Sequence, residues 1–171
     1  MIQVHMQCQV VHPFPPVADS GSRVLILGSF PSVKSRQDGF YYAHPHNRFW
    51  PMMEKLFSCR LAGIDEKKAL LHRVHIALWD SIASCTITGS SDSSIRDVVA
   101  SDIGGLVAST CIDTILANGT KSYDVYMRYV YPSLGIPAVK MPSTSPANAS
   151  WSLDSLVEAW RGHLVPIVQA P

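Results

Sequence analysis

The stretch Arg23-Val24-Leu25-Ile26-Leu27-Gly28-Ser29-Phe30-Pro31-Ser32 sets the architecture. Four consecutive apolar residues stopped by a glycine read as a strand buried on both faces of a parallel sheet, since a half-solvated strand alternates apolar with polar. Three later runs share the pattern: His75-Ile76-Ala77-Leu78-Trp79, Ile112-Asp113-Thr114-Ile115-Leu116-Ala117 and Pro137-Ala138-Val139-Lys140-Met141. Segments of helical period lie between them. Phe49, Met53, Leu56 and Phe57 share a face over residues 49–57, with Pro51 in the first turn, where its missing N–H does no harm. Further helices are predicted over residues 66–73, 121–131 and 152–164, the last carrying Leu153, Leu156, Val157, Trp160 and Leu164 on one stripe. Strands alternating with helices predict the α/β class: a three-layer domain with a four-stranded parallel sheet flanked by helices.

The 171 residues suit a single domain, with residues 1–22, rich in Pro and polar groups, as an N-terminal arm. Hydrophobic residues make up 47% and charged residues 16%, which argues against disorder. Lys and Arg number 14 against 13 Asp and Glu, a net charge of +1, so no global field draws the chain to a polyanion and any such partner is held by local groups. No run is long and apolar enough to cross a bilayer, and Met1 to Pro16 shows no basic start leading into an apolar block. The expected location is cytoplasmic. Cys8, Cys59, Cys85 and Cys111 include no CxxC pair and read as isolated thiols rather than a metal corner or a disulfide.

In an open α/β sheet, ligands bind beyond the carboxyl ends of the strands, so the segments after Leu27, Trp79, Ala117 and Met141 hold the candidate site. The first is a connection of about twenty residues, long enough to imply function. It ends Phe40-Tyr41-Tyr42-Ala43-His44-Pro45-His46-Asn47-Arg48-Phe49-Trp50, and its Lys34, Arg36 and Arg48 outnumber Asp38. Cations among aromatics suit phosphates and a stacked base; a solvated loop with its tyrosines pinned into the core is the other reading. Asn47 stands where a helix cap is preferred. Asp80, ending the second strand, is either a ligand acceptor or a turn cap, and Asn118-Gly119 is either a binding element or a turn. Met141-Pro142-Ser143-Thr144-Ser145-Pro146-Ala147-Asn148-Ala149-Ser150 makes a stiff loop of low charge, able to approach a sugar-phosphate backbone or simply to enter a helix.

Taken together, GSFPSVKSRQDGFYYAHPHNRFW from Gly28 to Trp50, LWD from Leu78, SSIRD from Ser93, ANG from Ala117 and MPSTSPANAS from Met141 resemble the uracil-DNA glycosylase superfamily. Within it, the hypoxanthine-DNA (deoxyinosine) glycosylases are the most similar. The resemblance implies an enzyme that rotates a damaged base out of DNA and hydrolyses its N-glycosidic bond, with no metal or organic cofactor, no membrane and no obligate protein partner. It implies Tyr42 as the aromatic beneath the flipped base, matching the mismatch-specific branch and its F-x-F-A-H-P-x-N-R-F-W string. Asp80 falls where the uracil enzymes read the base, and a carboxylate there accepts N1–H of hypoxanthine but meets a lone pair in adenine. Uracil N3–H satisfies the same acceptor.

Gly28, Ser29, Phe30 and Asn118 complete the expected base pocket, with backbone N–H groups near Ser29 to Ser32 toward the base oxygen. Ser32, Lys34, Arg48, Ser143, Ser145, Pro146, Ala147 and Asn148 are the expected DNA contacts, and the small tip Pro146-Ala147 makes a weak wedge. The mismatch-specific Gly-x-Asn-Pro asparagine is replaced by Phe30, and that motif carries no carboxylate. The resemblance to the hypoxanthine family, in which an asparagine of this region matters for catalysis, implies Asn47 as the catalytic candidate, its carbonyl orienting water over C1′. No Lys occupies a motif position that suggests Schiff-base lyase chemistry, which implies a monofunctional glycosylase. The alternatives are a uracil or mismatch-specific glycosylase and a non-catalytic nucleic-acid-binding module; a small-molecule enzyme on a flavodoxin-like sheet ranks last, because Gly28-Ser29-Phe30-Pro31 is a poor phosphate cradle.

Overall fold

The computed structural model describes residues 7–169, so residues 1–6 of the expected arm lie outside the described residues. The chain opens with β1 (Cys8–Val11), β2 (Val24–Gly28), α1 (Val33–Asp38), α2 (Phe49–Phe57) and α3 (Ile64–Arg73). It continues through β3 (Ile76–Asp80), β4 (Ile82–Ile87), a 3-10 turn (Asp92–Ser94), β5 (Arg96–Ala100) and α4 (Ile103–Ala108). It closes with β6 (Thr114–Asn118), α5 (Thr120–Tyr129), α6 (Tyr131–Leu134), β7 (Ala138–Met141) and α7 (Leu153–Gln169).

The four apolar runs form one sheet in the order β3-β2-β6-β7, with every neighbouring pair parallel. All five residues of β2 are buried. Alternation along the strand sorts them: Val24 and Ile26 pack with Phe49, Met53, Leu71, Trp160 and Leu164 of α2, α3 and α7, while Leu25 and Leu27 pack with Ile103 of α4 and Tyr126 of α5. Each such aliphatic side chain contributes about 1.5–3 kcal/mol by leaving water, which fixes the register that brings Gly28 level with Asp80.

Three features depart from the sequence reading. The chain after Asp80 forms a strand outside the four apolar runs: β4 runs antiparallel between β1 and β5 in a second sheet. Its Ile82, Cys85 and Ile87 face inward with Phe30 and Val125, but the intervening Ser and Thr hide the period. The twenty-residue connection contains α1, capped by Ser32, whose hydroxyl oxygen accepts the Ser35 N–H at 3.1 Å, and closed by Gly39 in the left-handed region at φ 69°. The helix predicted to reach Tyr131 ends at Tyr129, and a new turn starts around Pro132.

Residues of the expected arm join both sheets: β1 lines up against β4, and Val17 bridges to Leu78 of β3. Cys59, Cys85 and Cys111 are free thiols, and the Cys8 side chain lies outside the described residues. No helix among the described residues is long and apolar enough to cross a membrane.

Candidate active site

The carboxyl ends of β2, β3 and β6 open into a cleft of about 350 Å³, at the small end of the range of ligand pockets. Gly28 and Asp80 sit side by side in register on its floor. A Cβ on Gly28 would lie 2.3 Å from Asp80 Oδ1, so only glycine leaves room for the carboxylate. Ser81, which alone separates β3 from β4, donates both N–H and O–H to the Gly28 carbonyl at 2.8 and 3.2 Å, and Ser101 Oγ donates to the Asp80 carbonyl at 2.7 Å. The backbone beneath the carboxylate is thereby fixed.

Asp80 is buried, and a buried carboxylate requires compensation. It comes from the arm: His12 Nε2 donates to Asp80 Oδ2 at 2.7 Å, with both side chains about 5% exposed. The His12 ring is held edge-on by Phe14, with centroids 4.6 Å apart. Asp80 Oδ1 has no bonded partner among the described residues and remains an open acceptor in the cleft. Sequence reading missed His12, because nothing local connects residues 68 positions apart.

Tyr42 stacks on Phe49 at 4.1 Å and 24°, is partly exposed, and lines the cleft. Its backbone adopts φ 56°, the left-handed region that few residues other than glycine occupy. Its neighbours on both sides hold that conformation: Tyr41 Oη donates to the Pro15 carbonyl at 3.0 Å and Ala43 N–H donates to Ser35 Oγ at 3.0 Å. The Tyr42 hydroxyl is buried and has no well-formed hydrogen bond among the described residues. Burial first, and the Asp80 carboxylate second, push its ionisation well above the usual tyrosine range, so it presents a neutral ring.

Asn47 joins three segments. Its Oδ1 accepts the Phe49 N–H at 2.9 Å and the Thr144 hydroxyl at 2.9 Å. Thr144, fully buried, exchanges two bonds with Asn118 at 3.0 Å: its N–H donates to Asn118 Oδ1, and its Oγ1 accepts from Asn118 Nδ2. Both lone pairs of the Asn47 oxygen are therefore engaged. That oxygen, expected to orient water, bonds the first N–H of α2 and ties down the Thr144 loop, while Nδ2 has no bonded partner among the described residues and the side chain lines the cleft. Asn118, expected as a base contact or a turn residue, sets this network while lining the same cleft.

Arg48 was expected to meet phosphate, and the structure gives it another task. Four of its donors point at backbone carbonyls of the loop before α7: Nε to Thr144, Nη2 to Ser145 and Asn148 at 2.7 and 2.9 Å, and Nη1 to Trp151. A planar fork bonds such a set, and an ammonium does not. Arg48→Lys is expected to lower the unfolding free energy by about 2 kcal/mol, read as a fall in thermal midpoint.

Of the other expected residues, Ser29, Phe30, Ser32, Ser143, Ser145 and Ala147 line the cleft, and Asn148 lines an adjoining groove. Phe30 also packs into the core between β4 and α5. Lys34 and Pro146 line neither; Lys34 pairs on the surface with Asp38 at 3.0 Å. One residue outside those expectations stands at the mouth: Asp92, whose Oδ1 accepts from Ser29 Oγ at 2.8 Å. The signal for it is faint but present, since Asp92 is the lone charged residue between Ser81 and Ile95. Among the described residues no group of three or more His, Cys, Asp or Glu gathers as metal ligands do.

Comparison with known proteins shows the family. The family described as the uracil DNA glycosylase superfamily matches residues 15–162. Two curated relatives, each named hypoxanthine DNA glycosylase, come from Methanosarcina acetivorans and Methanosarcina barkeri. The first is 33% identical over 81% of this chain and 89% of its own length, the second 32% identical over 86% and 93%. The solution structure of a uracil DNA glycosylase candidate from Methanosarcina acetivorans superposes with a TM-score of 0.73 at 31% identity, covering 89% of this chain and 96% of its own. The matched family model spans the sheet, the Asn47 segment and the loop before α7, and the chain belongs to the uracil DNA glycosylase superfamily.

Proposed function

We propose that the protein is a monofunctional DNA glycosylase that hydrolyses the N-glycosidic bond of deoxyinosine, releasing hypoxanthine and leaving an abasic site. The observation that carries this reading is the open Asp80 Oδ1 on the cleft floor, beside Gly28 and backed by His12. A carboxylate accepts and does not donate, so it favours a base whose pairing edge carries N–H, as hypoxanthine does at N1, over adenine, which presents a lone pair there. The names of the two curated relatives support the same substrate.

In this reading the extruded base lies on Tyr42, with Phe49 backing the ring from behind. Bond breakage leaves electrons on the departing base and positive character on the sugar. The amide of Asn47, its oxygen engaged, turns its N–H donors to the base and stabilises that developing charge. Ser143, Ser145 and Ala147 approach the strand around the extruded nucleotide, with Asn148 beside them, while Lys34, on α1 outside the cleft, meets phosphate. The enzyme acts in the cytoplasm without an obligate protein partner.

The test is an excision panel of inosine, uracil, xanthine and ethenocytosine in single- and double-stranded oligonucleotides. Inosine is expected to be cut fastest, and Asp80→Asn is expected to lower its rate about 10²-fold by turning an acceptor into a donor. Fastest cutting of uracil overturns the hypoxanthine assignment, and binding without cutting of any substrate identifies a non-catalytic module.

A further inference from the structure

The proposed reaction needs a group that accepts a proton from the attacking water, and Asn47, an amide with its oxygen engaged, cannot be that group. Phe30 fills the position from which a motif residue would act, and its ring packs into the core. The cleft does hold another carboxylate, brought in by a different part of the chain. Asp92 opens the 3-10 turn after β4 and lines the cleft with Asn47 and Asp80.

Its loop is strapped in place. The Val33 N–H donates to Ser90 Oγ at 2.9 Å and Arg36 Nη2 donates to the Gly89 carbonyl at 2.8 Å, fixing the loop to α1. The Thr88 N–H donates to Ser94 Oγ at 2.9 Å and closes the loop on itself. The Asp92 side chain caps nothing in its own turn, and Ser29 Oγ is its one hydrogen-bond partner among the described residues. Ser29 follows Gly28 directly, so the carboxylate is anchored one residue from the cleft floor. An anion on a surface that receives phosphates weakens DNA binding, and a role in the chemistry accounts for its presence there.

We propose that Asp92 is the general base of this enzyme, a deduction that rests on the glycosylase reading above. Water bonded to the free carboxylate oxygen attacks C1′ as the bond from C1′ to the base nitrogen breaks and its electron pair leaves with the base. The water proton passes to Asp92 and then to solvent, and the departing base takes up a proton from solvent. Ser29 is a positioning residue that aims the carboxylate through Oδ1.

The surroundings adjust Asp92 to the task. Desolvation raises its pKa above the ordinary carboxylate value, the Ser29 hydrogen bond and Lys121 of α5 oppose that rise, and Asp80 of β3 adds to it; the Cys85 thiol of β4 also faces it. A base works deprotonated, so excision is expected to fall as pH drops through this raised value. Removing the Ser29 hydroxyl takes away a lowering influence and moves that limb to higher pH.

The experiment measures single-turnover excision from an inosine duplex against pH, with duplex affinity measured alongside. Asp92→Asn is expected to lose roughly 10²-fold in rate and to lose the acid limb, with affinity undiminished. Ser29→Ala is expected to lose roughly tenfold, with its limb displaced upward. An Asp92→Asn rate within threefold of the unmodified enzyme overturns the proposal, as does a Ser29→Ala profile that superposes on the original, which also decides the matter should Asp92→Asn fail to fold. Failure of the unmodified enzyme to cut inosine overturns the substrate reading instead, so the two failures are distinguishable.

Discussion

Asn47→Asp is expected to lower single-turnover excision of hypoxanthine by about 10²- to 10³-fold while leaving the thermal midpoint nearly unchanged. The substitution is isosteric. Its Oδ1 still accepts the Phe49 N–H and the Thr144 hydroxyl, so the start of α2 and the Thr144 loop stay joined, and a carboxylate beside a helix N-terminus is favourable. Only the outward group changes, from two N–H donors to an oxygen carrying negative charge. That oxygen repels the electrons arriving on the departing base, which the amide was stabilising. Asn47→Ala, by contrast, removes both structural bonds and is expected to cost about 1–2 kcal/mol of stability as well as activity. If Asn47→Asp cuts within a few fold of the unmodified enzyme, the residue is a cap and nothing more.

Gly28→Ala is the second large effect. The backbone of Gly28 is an ordinary central-strand conformation that alanine also adopts, so the outcome depends on the added methyl group alone. That carbon would stand 2.3 Å from Asp80 Oδ1 and 3.2 Å from the Tyr42 hydroxyl, both impossible or tight contacts. Strand β2 is enclosed by β3 and β6 and cannot shift, so the carboxylate must rotate away, breaking its bond to His12. Separating a buried pair in this way is expected to lower stability by about 3 kcal/mol, and with the acceptor displaced excision falls about 10²-fold. Denaturant unfolding and inosine excision measured together check both parts. Unchanged excision in a folded variant dismisses Asp80 as the reader of the base.

The main sheet was legible because its four strands are covered on both faces and therefore read as unbroken apolar runs, as at Val24–Gly28. The second sheet was not. In β4 the inward Ile82, Cys85 and Ile87 are separated by Ala, Ser and Thr, and β1 hides in a Pro-rich arm. The site divides in the same way. Gly28, Asp80 and Asn118 could be singled out because they end strands, where topology gathers ligand groups. His12 and Asp92 bond partners 68 and 63 positions away, Asp80 and Ser29, and no local pattern announces such a pairing. Arg48 and the Asn47 oxygen are the converse case. Both residues have the chemistry for DNA or water, but the loop before α7 and the first turn of α2 claim that chemistry first.

The proposed mechanism requires that a single extruded purine fit between Tyr42 and Asp80. Its most direct test is a crystal structure of the protein with a duplex containing 2′-fluoro-deoxyinosine, which resists hydrolysis. Hypoxanthine is expected stacked on Tyr42 with N1–H donating to Asp80 Oδ1 and the Asn47 amide nitrogen turned to the base; a duplex bound with inosine still paired in the helix, or a base lodged away from Asp80, rules this arrangement out.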